Sequence, residues 1–396
     1  MLRKKTVRDI EVRGKRVLVR VDFNVPQDKA GMIADDTRIR ESLPTVRYLK
    51  ENDARVILCS HLGRPDGKVV EKLRMAPVAA RLSELLGSPV LVAQDCVGPE
   101  VLRMVSMMNG GDVLMLENLR FHVEEEENGA RFAQDLARLA DVYVNDAFGT
   151  AHRAHASTVG VTHYLPAVAG FLMQKELEAM GRALEKPARP FAAVVGGAKV
   201  KDKLGLLENI VAKVDSLLIG GGMVTAFLKA RDEAPGKAGA SDETTASVRR
   251  VMDRARERGV NLVLPVDVVA AASAESPGTA REVLVDGVPE GWSIVDIGSK
   301  TVERFTTELA RCRTVVWNGP MGIFEVPGFA RGTRAVANAI AGLNATTIIG
   351  GGSTAEVVGE LKLTEKMTHV STGGGASLMF LEGRELPGIA VLLDKE

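Results

Sequence analysis

This sequence of 396 residues lacks several features that commonly indicate a protein's partners. It has no net charge, because 51 Lys and Arg residues balance 51 Asp and Glu residues. A balanced charge does not indicate nucleic acid or an anionic membrane as a partner, and we expect neither. Any site for an anion must therefore be built from a few cations at fixed positions. No apolar run approaches the length that spans a bilayer.

Cysteine is scarce as well: Cys59, Cys96 and Cys312 are far apart and odd in number, and no CxxC occurs. We therefore expect neither disulfides nor a structural zinc, and a reducing compartment is the natural interpretation. The first ten residues are polar and basic without an apolar core, which predicts no signal peptide.

Short β-branched runs alternate with longer amphipathic stretches, and this alternation is typical of βαβ units. The length predicts two domains, or three. The predicted fold class is α/β, with two doubly wound parallel-sheet (Rossmann-like) domains joined by a helix and a hinge. The predicted strands are 16–23, 55–59, 90–92, 113–116 and 141–144, then 191–195, 216–219, 262–264, 314–317, 346–349 and 367–370.

The connection between the halves is predicted to be a helix. Leu177, Met180 and Leu184 have the i, i+3, i+7 spacing of one helix face, and Pro187 and Pro190 end the pattern. Other helices are predicted over 40–50, 71–86, 244–258 and 331–341. No internal repeat is visible.

Polar residues follow most strands of the first half. In open α/β sheets ligands bind outside the carboxyl ends of the strands. One such residue alone is more often a helix N-cap, but the set indicates one shared site. Five potential cations suit a small, multiply charged anion, because arginine binds carboxylate and phosphate as a planar fork. They are Arg38, His61, Arg64, Arg120 and Arg153.

Two further patterns of the first half are interpreted as structural. His152 and His155 have HxxH spacing but no acidic or thiol partner beside them, which favours a loop role over a metal site. The acidic run 124–127 is predicted to be a solvated surface.

Glycine turns follow the strands of the second half, at 196–197, 220–222, 350–352 and 373–375. Such turns let phosphates approach backbone N–H groups closely. Lys199 and Lys203 could neutralise phosphate charge, and Glu325 could accept from ribose hydroxyls. We predict that the chain is arranged to bring two ligands together at the turn 371–377.

Known nucleotide motifs are mostly missing: there is no Walker A, HRD or DFG pattern. Gly350, Gly352 and Ala355 match the loose dinucleotide fingerprint, so a dehydrogenase stays an alternative, although no acid ends the following strand. An anion site facing a nucleotide site across a hinge is a layout for phosphoryl transfer, which depends on positioning and charge stabilisation. A closing hinge would also exclude water.

The sequence resembles the phosphoglycerate kinase family along nearly its whole length. The resemblance rests on segments that occur in the order of that family: 20–26, 60–65, 117–121, 145–157, 196–200, 220–223, 317–325 and 371–377.

The resemblance implies reversible phosphoryl transfer from 1,3-bisphosphoglycerate to ADP in glycolysis, giving 3-phosphoglycerate and ATP, with Mg²⁺. It implies a monomer in the cytoplasm. The implied domains are a phosphoglycerate-binding domain at 1–170, an interdomain helix at 171–186 and a nucleotide-binding domain at 187–382, with the tail 383–396 returning to the first domain.

The resemblance also implies site residues. Those implied for catalysis are Arg38, Lys199, Gly373 and Gly374. Those implied for the glycerate are Asp22, Phe23, Asn24, Arg38, His61, Leu62, Gly63, Arg64, Arg120 and Arg153. Those implied for the nucleotide are Gly197, Lys203, Gly221, Asn318, Glu325, Gly351, Gly352, Ser353 and Thr354.

Two positions depart from the family pattern. Ser353 stands where the family usually has Asp, so the protein ligand of the metal is unknown. Mg²⁺ could instead be coordinated by phosphate oxygens and waters alone. Ile294 stands where the family often has a glycine near the adenine. Ser353 also leaves a non-catalytic relative that only binds nucleotide or partners as an alternative.

Overall fold

The computed structural model describes residues 4–231 and 241–395. The chain divides into two compact units, Met1–Glu178 with Glu385–Glu396, and Ala179–Arg384. Within the described residues, no helix combines the length and the apolar character that crossing a membrane requires.

Among its described residues, the first unit has six strands with helices between them. Its strands are β1 Arg16–Val21, β2 Arg55–Cys59, β3 Leu91–Val92, β4 Val113–Met115, β5 Val142–Asp146 and β6 Ala167–Ala169. The helices before the connection are α1 Thr37–Glu51, α2 Ala76–Leu86, α3 Pro99–Ser106, α4 Val123–Glu126 and α5 Ala130–Ala137.

All strands of the first unit are parallel, in the order β3-β4-β2-β1-β5-β6. The chain moves from β1 to one side of the sheet and returns to the other side at β5. The carboxyl ends of β1 and β5 therefore flank the point where the strand order reverses, which is where open α/β sheets hold ligands. Strand β1 is almost entirely buried because helices cover both faces of a parallel sheet.

The helix predicted over 71–86 is interrupted. A 3₁₀ turn covers Glu71–Leu73, Arg74 is extended, and α2 begins at Ala76. Pro77 in the first turn of α2 explains the restart, since proline is accommodated there but not inside a helix. Glu117 fixes the break, because its carboxylate accepts from Met75 N at 2.8 Å and from Arg74 Nη1 at 3.0 Å.

Helix α6 Phe171–Glu185 follows β6 and leads into the second unit. The strands there are β7 Phe191–Val195, β8 Ser216–Ile219, β9 Asn261–Val263, β10 Asp267–Ala271, β11 Arg281–Leu284, β12 Ser293–Ile297, β13 Thr314–Asn318, β14 Thr346–Gly350 and β15 His369–Val370. The helices are α7 Leu204–Ile210, α8 Val224–Ala230, α9 Asp242–Glu257, α10 Ser299–Leu309, α11 Arg331–Ala341, α12 Gly352–Glu360 and α13 Gly375–Leu381.

The main sheet of the second unit is parallel, in the order β15-β14-β13-β7-β8-β9. Its order reverses between β7 and β13. A second, antiparallel sheet has the order β11-β10-β12, and the sequence analysis did not predict it. With its parallel sheets flanked by helices, the predicted α/β class is confirmed.

The end of the chain packs within the first unit. Helix α14 Pro387–Ala390 follows a loop, and Gly388 N donates to Ala151 O at 2.9 Å. Leu393 N donates to Ala167 O at 2.9 Å and Lys5 N donates to Leu393 O at 2.7 Å. The last residues thereby continue the backbone hydrogen bonding at the β6 edge.

Candidate active site

The first cluster of predicted site residues lies at the carboxyl ends of β1 and β2. Asp22 follows β1, and its Oδ2 accepts a short hydrogen bond from Arg38 Nη1. His61 follows β2, and its Nδ1 lies 4.0 Å from Asp22 Oδ1. The loop after β1, the first turn of α1 and the loop after β2 thus bring an acid, an arginine and a histidine together.

Hydrogen bonds fix the loops around these side chains. Asn24 Oδ1 accepts from Gly63 N at 2.9 Å, and Arg120 Nη1 donates to Gly63 O at 2.8 Å. Phe23 and Leu62 are buried as whole residues, so neither exposes side-chain or backbone groups to a ligand. Arg64 is exposed.

Two of the predicted arginines share one carboxylate. Arg120 Nη2 lies 3.1 Å from Glu126 Oε1, and Arg153 Nη1 lies 3.9 Å from the same atom. The side chain of Glu126 is 45% exposed. Glu126 was not among the predicted site residues, because it lies in the acidic run 124–127 that was interpreted as a solvated surface.

A buried polar network lies behind the cluster. The interpretation of 124–127 as a solvated surface is wrong for Glu125, which is fully buried. Its carboxylate accepts from Ser157 N at 2.9 Å and from Ser157 Oγ at 2.6 Å. Arg20 Nε in turn donates to Ser157 Oγ at 2.8 Å. The four acidic residues of 124–127 look alike in the sequence, so the sequence could not show that Glu125 is the one that points inward.

The histidines of the cluster are kept neutral. Burial, reinforced by the neighbouring arginines, lowers the pKa of His61 well below its usual value and lowers that of His155 to about 4. The pKa of His152 is lowered for the same reasons. The positive charge of the cluster therefore comes from its arginines, which suits an anion that needs several planar hydrogen-bond donors.

The second cluster lies where the order of the main sheet reverses in the second unit, at the ends of β7 and β13. Lys203 Nζ donates to Asn318 O at 2.9 Å and to Asn318 Oδ1 at 2.5 Å. Burial lowers the pKa of Lys203 to about 8. Gly319 N donates to Thr354 Oγ1 at 2.6 Å, which ties the end of β13 to the first turn of α12.

Close backbone approach explains the glycines of this cluster. A Cβ on Gly196 would overlap Pro320 O, and one on Gly221 would lie 2.6 Å from Gly197 N. Gly319 and Gly351 have φ values of 96° and 92°, which L side chains rarely adopt. The turns after β7, β8 and β13 therefore pack directly on one another.

Two cavities open at these turns. The smaller, of about 490 Å³, is lined by residues that include Lys199, Lys203, Asn318, Gly351, Gly352, Ser353, Thr354, Gly374 and Gly375. The larger, of about 640 Å³, is lined by residues that include Thr225, Thr244, Trp292 and Ile294. Ala198, Lys199 and Asp202 line both, so the cavities adjoin.

Some predicted site residues lie outside these linings. Glu325 is exposed and lines neither cavity. Gly373 also lies outside both linings, and its N donates to Ser371 Oγ at 3.2 Å. Ser371 and Ser377 share a hydrogen bond of 2.5 Å between their hydroxyls, which fixes the turn that contains Gly374.

The lining of the smaller cavity offers oxygen atoms to a cation. Asp202 contributes a carboxylate and Ser353 a hydroxyl. Mg²⁺ commonly binds through one or two carboxylates together with phosphates and waters, so this donor set fits a metal carried by a nucleotide. A different group, Asp95, Cys96 and His122, has mixed ligand atoms within 4.8 Å of one another. Its sulfur and nitrogen do not suit Mg²⁺.

The chain is similar to known proteins along nearly its whole length. A family model described as phosphoglycerate kinase matches residues 7–384. The chain is 57% identical over 392 residues to phosphoglycerate kinase of Pelotomaculum thermopropionicum, covering 99% of this chain and 100% of the relative. The value for phosphoglycerate kinase of Moorella thermoacetica is 53%, with the same coverage.

A solved structure supports the same assignment. Phosphoglycerate kinase from Coxiella burnetii superposes with a TM-score of 0.87 at 41% identity, covering 98% of each chain. The chain therefore belongs to the phosphoglycerate kinase family.

Proposed function

We propose that this chain catalyses the reaction of its family, reversible phosphoryl transfer between 1,3-bisphosphoglycerate and ADP, and that its two clusters bind the two substrates. The observation that supports the proposal is that one chain contains both an arginine cluster suited to a small anion and a cluster of glycine turns suited to nucleotide phosphates. Fixed arginines follow β1 and its neighbours, while glycine turns with a half-buried lysine follow β7 and β13.

The first cluster is proposed to bind the glycerate. Arg38, Arg120 and Arg153 supply positive charge, and the neutral imidazole of His61 supplies a directed hydrogen bond. Asp22 holds Arg38 in place. Asn24 supports Gly63, whose loop carries the exposed Arg64 beside the same anion.

The second cluster is proposed to bind the nucleotide across both cavities. Lys203 and the N-terminal turn of α12, with Ser353 and Thr354, suit phosphates. The larger cavity, with Trp292 and Ile294 in its lining, suits the base. Ile294 narrows this cavity relative to the glycine that the family often has there. Glu325 is proposed for the ribose.

The chemistry needs no general base. In the direction of ATP use, a carboxylate oxygen of 3-phosphoglycerate attacks the γ-phosphorus, an O–P bond forms, and the bond to the β-phosphate oxygen breaks. A carboxylate is already ionised at neutral pH, since its pKa is near about 4. Catalysis is then alignment and neutralisation of charge, for which Arg38, Lys199 and the Gly373–Gly374 turn are proposed.

Mg²⁺ is proposed to accompany the nucleotide. It would neutralise phosphate charge, and Asp202 and Ser353 are among the residues of the smaller cavity that offer it oxygen atoms. We also propose the closure predicted from the sequence, because the reacting atoms must come within bonding distance and water must be excluded. We also propose that the protein is a monomer and that it acts in the cytoplasm.

A coupled assay of purified protein tests the reaction by following ATP formed from 1,3-bisphosphoglycerate and ADP. Arg38→Ala is expected to lower kcat by about 10²- to 10³-fold with little change in the Kd for ADP, because the lost interaction acts in the transition state. Arg40→Ala is the control, since Arg40 lies on the same helix and pairs at the surface with Asp36.

The outcomes separate the alternatives. Nucleotide binding without turnover would favour a non-catalytic relative. A rise in melting temperature with NAD rather than MgADP would favour the dehydrogenase. Equal losses of kcat and ADP affinity in Arg38→Ala would contradict its transition-state role.

A further inference from the structure

The side chain of Arg20 lies inside the first unit and contacts the imidazole of His61. Its side chain is 1% exposed. Nε donates to Ser157 Oγ at 2.8 Å, Nη1 donates to Val21 O, and Nη2 lies 3.2 Å from His61 Nδ1. Each guanidinium nitrogen thus has its own partner, so the orientation of the group is fixed.

This contact decides which ring nitrogen of His61 carries the proton. A guanidinium has donors and no acceptor, so His61 Nδ1 must be the acceptor of the hydrogen bond from Arg20. In the neutral ring the proton is then on Nε2. An imidazolium would instead set an N–H of the ring against an N–H of Arg20 and place two positive charges together in a buried site.

Among the other charged groups around the ring, the arginines favour the same state, whereas the carboxylate of Asp22 favours an imidazolium. Asp22 Oδ1 lies 4.0 Å from His61 Nδ1, and its second oxygen is held by Arg38. The pKa of His61 is lowered by burial and by the positive charges of Arg20, Arg120, Arg153 and Arg38.

Glu125 balances the charge of Arg20. Its Oε1 lies 3.9 Å from Arg20 Nη2, and Ser157 bridges the pair by accepting from Arg20 Nε and donating to Glu125. Without a nearby acid, a buried guanidinium would be strongly destabilising. The acid therefore allows Arg20 to occupy its position behind His61.

We propose that Arg20 and Glu125 are positioning residues that hold His61 as a neutral ring with its proton on Nε2. The inference rests on the proposed role of His61 in binding the glycerate, and it adds a source of specificity. A ring locked in this form can only donate from Nε2. It selects a phosphate or carboxylate oxygen over a ligand group that is itself a donor.

Nitrogen NMR of ¹⁵N-histidine-labelled protein tests the proposal without any ligand. The ring of His61, identified by its loss in His61→Gln, is expected in the Nε2–H form throughout about pH 5.5 to about pH 8. An Nδ1–H form, or titration with a midpoint near about 6.5, would overturn the proposal. A protein without turnover in the coupled assay but with this spectrum would instead count against the proposed function alone.

A paired variant tests the link to substrate. Arg20→Met combined with Glu125→Gln removes both buried charges and leaves an acceptor for Ser157. We expect mixed or titrating His61 signals and a rise of about tenfold in the KM for 3-phosphoglycerate, with the KM for nucleotide unchanged. An unchanged His61 tautomer would overturn the inference. If the variant does not fold, the wild-type spectrum still decides.

The matched control is Arg16→Met combined with Asp141→Asn. This ion pair of 2.6 Å lies at the start of β1, where both side chains are about one-third exposed. It is expected to change neither the His61 spectrum nor either KM. If both pairs raise the KM for 3-phosphoglycerate equally, the effect is general weakening of β1 and contradicts a positioning role.

Discussion

Several arginines that we propose for the glycerate already contact carboxylates of the protein. Arg38 is held by Asp22, while Arg120 and Arg153 share Glu126. Asp22 is 10% exposed in its side chain and Glu126 is 45% exposed. A well-buried partner holds an arginine in place, whereas a half-exposed carboxylate resembles the anion that would replace it. Glu126 thus occupies arginine donors that a phosphate or carboxylate of the substrate would use.

Replacing this carboxylate should strengthen substrate binding. Glu126→Gln is expected to lower the KM for 3-phosphoglycerate by about two- to fivefold, because the half-exposed Glu126 is screened by solvent and such ion pairs contribute up to about 1 kcal/mol. Steady-state kinetics at low and high salt measures the effect, which should shrink at high salt. Glu124→Gln, an exposed position of the same helix, is the control. An increased KM in Glu126→Gln would mean that Glu126 supports the arginines rather than competing for them.

The lowered pKa of Lys203 gives nucleotide binding a pH dependence. The free protein has this pKa at about 8, and bound phosphates would raise it by stabilising the ammonium. Binding therefore takes up a proton above pH 8. The affinity for ADP should fall by up to about tenfold per pH unit there and be flat from about pH 7 to about pH 8.

Calorimetric titration of ADP at several pH values measures this dependence. Lys203→Arg is the control, because a guanidinium stays charged over the whole range. Its affinity should not fall between about pH 8 and about pH 9.5. A parallel decline in both proteins would assign the effect to another group.

At the scale of elements, the turns after β7 and β13 need glycine because their backbones pack against each other, whereas helix α12 after β14 can accept a side chain at its glycine Gly359. A Cβ on Gly319 would overlap Gly196 O and Lys203 Nζ, and its φ of 96° disfavours side chains. Gly319→Ala is expected to lower the free energy of unfolding by about 2 kcal/mol and to weaken ADP binding, because Lys203 must move. Denaturant unfolding and ADP titration measure both effects.

Gly359→Ala is the matched substitution. Gly359 is exposed within α12, and a Cβ there would meet nothing within 4 Å. Alanine should therefore raise stability by about 0.5–1 kcal/mol and leave ADP binding unchanged. If Gly319→Ala were as well tolerated as this control, close packing of the two turns would not be needed.

The parallel strands were predictable from the sequence because their burial on both faces requires short β-branched runs. The small sheet of β10, β11 and β12 was not, since β11 is largely exposed and its residues resemble a loop. The same limit applies to the site. Strand ends indicate Asp22, His61 and Asn318, but no local pattern shows that Glu125 points inward to Ser157.

At the scale of the whole chain, residues far apart in sequence complete one unit. Lys4 Nζ donates to Leu392 O at 2.9 Å, and Asn145 Nδ2 at the end of β5 donates to Gly388 O at 3.0 Å. The first unit therefore lacks part of its structure until the last residues are made. The resemblance implied that the tail returns, but hydrophobic periodicity gave no sign of where it would pack.

Adjacent leucines of the tail test this dependence. Leu392 is 3% exposed, so Leu392→Ala should lower the free energy of unfolding by about 2–4 kcal/mol. Leu393 is 42% exposed, and Leu393→Ala should cost less than about 1 kcal/mol. Urea unfolding of both variants measures the difference. Equal, small losses would show that the first unit is stable without its tail.

A crystal structure with MgADP and 3-phosphoglycerate tests most directly which cluster binds which substrate. We predict phosphoglycerate oxygens within hydrogen-bond distance of Arg38, His61 and Arg120, and ADP phosphates beside Lys203 and the turn at 350–354. Phosphoglycerate bound among the glycine turns of the second unit, or ADP bound at the arginines of the first, would contradict the proposed function.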